Sequence, residues 1–194
     1  MENSQGSDRM RINWVLSEHT FLDPDIKIEE LKSIGSFWGS WKTWRSCSTD
    51  NVICNDISQA HTLIQRKLNE KCNFFIPESL FLRLERPSRV SLYGGEFNFE
   101  IDSQDDIISM HLAASRSDIV LLLGFDWQPK LKRADRLEEH RAQNYRTAVK
   151  HAIRDNPETQ WVLINHSETL MDELKGLDNL TIDTLPNVLS MLGS

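Results

Sequence analysis

Ser117-Asp118-Ile119-Val120-Leu121-Leu122-Leu123-Gly124-Phe125-Asp126-Trp127 contains five aliphatic residues in succession, with nothing polar between them. A strand with one wet face alternates polar and apolar side chains. A run that is apolar at every position describes a strand covered on both faces, as in a parallel sheet held between two helix layers. Gly124 closes the run, and Asp126 falls where the strand hands over to a loop. Trp161-Val162-Leu163-Ile164 repeats the pattern and leads into Asn165-His166. The two segments are expected to lie side by side and parallel, carrying their trailing polar residues to a shared rim.

Outward from this pair, short apolar runs alternate with amphipathic ones. Residues 12–16, 52–54, 74–76, 90–93 and 180–182 read as further strands, and residues 96–101 alternate with period two like a half-exposed edge strand. Helical spacing is found in residues 26–34, stopped by Gly35, and in 57–68, 105–116, 137–154 and 185–192. In the segment Phe37-Trp38-Gly39-Ser40-Trp41-Lys42-Thr43-Trp44-Arg45 a helix would place Phe37, Trp41 and Trp44 on one face, with Trp38 beside them. Ser103 with Asp106 resembles a capping box. Alternation of strand and helix predicts an α/β fold, a three-layer sandwich around a mostly parallel, Rossmann-like or flavodoxin-like sheet of five or six strands. Residues 1–10 are expected to form a flexible N-terminal tail and residues 11–194 a single domain.

Composition narrows the function classes. A chain of 194 residues can bury about 70% of its unfolded surface, so one core suffices. The formal net charge of -7 supplies no global attraction for nucleic acid or an anionic membrane. No apolar run approaches the roughly 18 residues that span a bilayer, and the polar N-terminus lacks a secretory core. Cys47, Cys54 and Cys72 are odd in number and lack C-x-x-C spacing, which points to reduced thiols in a cytoplasmic protein. Neither a dinucleotide-binding nor a P-loop glycine motif is present, so no cofactor is expected.

In sheets of this kind ligands bind beyond the carboxyl ends of the strands. The residues that follow the strands are therefore candidates. They are Glu18 and His19, Asn55 and Asp56, then Tyr93, Gly94, Gly95 and Glu96, then Gly124 and Asp126, and lastly Asn165 and His166. Carboxylates and histidines here suit nucleophilic or acid–base work, which makes Glu96, Asp126, Glu138 and His166 the catalytic candidates. Glu18, His19, Asp56, Tyr93 and Gly124 are ligand-binding candidates. Asp56 could equally cap the helix behind it. Trp41, Lys42 and Arg45 could stack a base and hold a phosphate, or the rings could simply cap the core. His111 reads as a packed core histidine. His19, His166 and Asp126 show no metal-ligand spacing, and no metal is expected.

Two resemblances accompany this reading. The helix over residues 107–116 running into Asp118 and the apolar strand resembles an element of nucleoside 2-deoxyribosyltransferase-like proteins, over roughly a third of the chain. There the strand leads to a helix bearing a nucleophilic glutamate, which implies that role for Glu138 or Glu139. Arg136-Leu137 stands here in place of that family's Gly-Thr pair. The run from Ile34 to Arg45, with Asn51-Val52-Ile53-Cys54, resembles uncharacterised proteins of marine tailed phages, which implies expression in a host cytoplasm and no defined activity. The resulting expectation is a protein that binds a nucleotide- or nucleoside-like small molecule at the rim, with N-glycosidic-bond chemistry as its enzymatic form. The alternatives are a non-catalytic sequestering or host-protein docking module acting through residues 37–45, and a homodimer formed through the strand at Leu180.

Overall fold

The computed structural model describes residues 10–17, 28–94, 104–125, 136–164 and 172–193. They form one parallel sheet of eight strands in the order β5-β4-β3-β2-β1-β6-β7-β8. The strands are β1 (Ile12–Leu16), β2 (Ser36–Ser40), β3 (Asn51–Ile53), β4 (Asn73–Pro77), β5 (Ser91–Tyr93), β6 (Ile119–Leu123), β7 (Gln160–Ile164) and β8 (Leu180–Asp183). Eight strands exceed the expected five or six; the strand that the sequence did not reveal is β2, whose residues 36–40 share the helical spacing of the segment that follows. β6 lies between β1 and β7, with Leu121 in register with both Trp14 and Val162. Val120 to Leu123 are all buried, and each such side chain contributes about 1.5–3 kcal/mol relative to exposure. The two apolar runs are thus adjacent and parallel, as expected.

The helices α1 (Ile28–Lys32), α2 (Trp41–Cys47), α3 (Ile57–Gln65), α4 (Glu78–Arg83), α5 (Gln104–Ala114), α6 (Arg136–Arg154) and α7 (Leu185–Met191) cover both faces. Parallel crossovers are almost always right-handed, so the direction of winding decides which face a helix covers. From β1 the chain steps outward to β5, and the connecting helices lie on one face. There Leu31, Cys47, Leu185 and Val188 pack on Trp14, Phe37 and Leu121, while Ala60 and Leu63 pack on Val52 and Phe74. After β5 the chain returns past β1 to β6, and α5 and α6 cover the other face. Ile107, Ile108, Met110, Tyr145 and Val149 pack there on Val15, Trp38, Leu122 and Leu163. α5 is nearly enclosed, with seven of its eleven residues buried.

Two local expectations change. Residues 36–40 are a strand and only Trp41 onward is helical. The alternation of β2 therefore sends Phe37 to one core and Trp38 to the other, and the rings do not share a helix face. Ser40 is the helix start, its hydroxyl accepting from the Thr43 N–H. Asp106 is fully buried in the first turn of α5, and Ser103, its partner in the expected capping box, lies outside the described residues. Gly35 is not a left-handed helix terminus, since its φ is not positive. It is needed for close approach, because a Cβ there would lie 2.2 Å from the Ile12 carbonyl oxygen. Residues 96–101, Ser103 and the tail before Met10 lie outside the described residues.

Gly35→Ala is expected to destabilise the protein by about 1–3 kcal/mol, since backbone must shift to admit the methyl group. Gly94→Ala, whose Cβ would meet nothing within 4 Å, is expected to be neutral or slightly stabilising. Urea denaturation of both variants checks the contrast.

Candidate functional site

The sheet reverses its winding between β1 and β6, and this is where a crevice opens at the carboxyl edge of a doubly wound sheet. β1 leads there into Ser17, β3 into Cys54-Asn55-Asp56, β5 ends at Tyr93 followed by Gly94, and β6 leads into Gly124-Phe125. Gly124 has φ 79°, a left-handed conformation that turns the chain off the end of β6 and that glycine adopts without strain. α5 brings its first turn to the same edge. Ser17 Oγ donates to Asp106 Oδ2 at 2.8 Å, and the Tyr145 hydroxyl, from α6, donates to the same oxygen at 3.4 Å. The two hydroxyl oxygens are 3.3 Å apart. Asp106 is 0% exposed, Ser17 1% and Tyr145 0%. A carboxylate removed from water needs donors in place of it, and here two hydroxyls and the positive end of α5 provide them.

Beside this network the Asn55 N–H donates to Asp105 Oδ1 at 3.1 Å, and Asn55 Nδ2 donates to Gln104 Oε1 at 2.9 Å. The first turn of α5 is thereby joined to the end of β3 as well as to β1. Burial and the nearby Asp105 carboxylate push the Cys54 thiol from 9.0 up to about 12. The same two causes, in the same order, raise the Tyr93 phenol. Neither ionises near neutral pH, so neither is a nucleophile there.

The residues singled out in the sequence fall into separate places. Asp56 caps α3, accepting from the Ser58 hydroxyl at 2.7 Å and the Gln59 N–H at 2.8 Å. These bonds hold its carboxyl below the ordinary range. Glu138 is half-buried in the first turn of α6, with Glu139 exposed beside it. Trp41 and Arg45 line a groove between α2 and α3, and Lys42 is exposed on α2. That groove belongs to the helix layer opposite Asp106 and Tyr145. Glu18, His19, Glu96, Asp126 and His166 lie outside the described residues. Asp118, part of the deoxyribosyltransferase-like element, sits at the amino end of β6 and accepts from the Arg11 backbone N–H and guanidinium. It joins β1 to β6 at the amino edge of the sheet. His111 is half-buried against Asn156, and burial lowers its pKa.

Ser17, Asp105, Asp106 and Tyr145 were absent from the sequence-based candidates. The one available signal was Asp106 itself, a carboxylate flanked by the inward-facing Ile107 and Ile108. Among the described residues no group of three or more histidines, cysteines or carboxylates could hold a metal ion, and no helix is long and apolar enough to cross a membrane. No protein-family model, curated protein or solved structure matches this chain.

Asp106→Ala is expected to cost about 1–3 kcal/mol of stability, because it removes the buried acceptor of two hydroxyls. Combined with Ser17→Ala, it should cost less than the sum of the single changes; a double-mutant cycle measures the difference. Alkylation of Cys54 by iodoacetamide in the folded protein should run about a thousandfold slower near pH 8 than in the unfolded chain, since the thiolate fraction falls tenfold for each unit between 9.0 and about 12. Mass spectrometry of the modified peptide checks it.

Proposed function

We propose that the protein binds a small, nucleoside-like molecule at the carboxyl rim above the reversal between β1 and β6. The observation that carries this reading is the buried Ser17–Asp106–Tyr145 network beneath that reversal. A fully buried carboxylate is costly to retain in a core that apolar side chains could fill, and such groups concentrate where a site must be held in one geometry. The network fixes the end of β1, from which Glu18 and His19 follow in sequence, against α5 and α6. Asp105 and Asp106 place two carboxylates in the first turn of α5 at this rim. A ligand offering hydroxyl or amino donors, as a nucleoside does, complements such a rim better than one offering a phosphate.

Hydrolysis or transfer at an N-glycosidic bond is the enzymatic form of this proposal, with the Glu138 carboxylate as the attacking group. The alternative of a host-docking module through residues 37–45 loses part of its basis, because Phe37 is fully buried and Trp38 is 3% exposed. Only the end of that segment reaches the surface.

A thermal-shift screen against nucleosides tests the proposal. A nucleoside at a hundredfold its dissociation constant should add about 2.7 kcal/mol of stability, and Ser17→Ala should weaken it. If no nucleoside raises the melting temperature, the proposal fails. Release of free base that is lost in Glu138→Gln would establish the enzymatic form; binding without release would establish a binding module.

A further inference from the structure

The groove between α2 and α3 encloses about 690 Å³, within the usual range for small-molecule sites. Its walls include two half-buried tryptophans, Trp41 and Trp44, and three exposed cations, Arg45, Arg66 and Lys71. Among the described residues no acidic side chain lines it. Arg45 lies over the Trp41 ring, its guanidinium carbon 5.6 Å from the ring centroid. None of the three cations forms an ion pair with another described residue. On a chain of net charge -7, three unpaired cations gathered around two indoles are a local reversal of sign. Packing does not require it, because Val52, Ala60, Leu63 and Phe74 already fill the core beneath.

From this geometry we infer that the groove is a binding site for a small planar anion, an aromatic ring bearing a phosphate or carboxylate. The ring would stack on the exposed indole surface, and the anionic group would meet Arg66 and Lys71. The groove lies in the helix layer opposite the Ser17–Asp106–Tyr145 network, and it does not depend on the rim reading. The enclosed volume admits one ring with its anionic group, and α2 and α3 are too short for a groove that tracks a polymer.

The test uses the full chain and three probes: adenosine monophosphate, adenosine, which has the ring without the charge, and inorganic phosphate, which has the charge without the ring. The chain has six tryptophans, and their indole N–H signals in an NMR titration are assigned for the groove with Trp41→Phe and Trp44→Phe. Adenosine monophosphate is expected to shift the Trp41 and Trp44 signals saturably, with adenosine and phosphate at least about tenfold weaker. Arg66→Gln and Lys71→Gln, both at exposed positions that should fold normally, should each weaken binding about tenfold, the usual effect of losing one charge-assisted hydrogen bond. The inference is overturned if those signals do not move, or if binding survives the Arg66→Gln/Lys71→Gln double variant. It is also overturned if Ser17→Ala abolishes the binding, which would place the ligand at the rim. A single-stranded oligonucleotide that binds far more tightly than the mononucleotide, with steep salt dependence, would likewise overturn it in favour of a nucleic-acid surface.

Discussion

The fold depends on holding one helix, α5, across the middle of the sheet at the point where the winding reverses. β1 grips it at both ends. Asn13 Nδ2 donates to the Ala113 carbonyl oxygen near its C-terminus, and Ser17 Oγ donates to Asp106 in its first turn. Asn13, Val15 and Ser17 are alternate residues of one chain segment, so they point to the same face, and their spacing matches a helix laid antiparallel along it. Both bonds are buried, where an unmet partner costs far more than a met one contributes. The arrangement is therefore selective: a helix shifted by one residue would break both bonds at once. Once α5 is placed, β6 enters next to β1, and the two apolar strands pair.

The same helix sets up the chemistry of the rim. Its first turn carries Gln104, Asp105 and Asp106, and these bind the ends of β1 and β3. A helix N-terminus would ordinarily offer positive potential at such an edge. Here two carboxylates occupy that end of the helix. The opposite helix layer has the reverse character, since α2, α3 and the turn after α3 gather Arg45, Arg66 and Lys71 around two indoles. The buried carboxylate network and the cationic groove thus lie in opposite helix layers of one sheet. The Trp-rich segment divides between these roles. Its strand half supplies core on both faces of the sheet, and its helical half supplies the groove.

Much of the architecture was legible in the chain. Five uninterrupted aliphatic residues at Ile119 to Leu123 demand cover on both faces, and this requirement alone implies helices above and below. Ordinary amphipathic spacing located α3, α6 and α7 because a helix with one wet side writes that spacing into its sequence. α5 carries a weaker signal, since it is enclosed on nearly all sides. The break between β2 and α2 left no clear mark on the sequence: Trp41 and Trp44 sit one helical turn apart, but Phe37 and Trp38 obey the period of two.

What the sequence by itself determined is the layered, parallel character of the fold, because burial on two faces is a property of each strand's own residues. The strand order, the reversal between β1 and β6, the buried Ser17–Asp106–Tyr145 network and the cationic groove were decided only by the tertiary structure. Each brings together groups from distant parts of the chain, Ser17 with Asp106 and Tyr145, or Trp44 with Lys71. No local pattern records which distant partner will satisfy a hydroxyl, or which cations will be left without one.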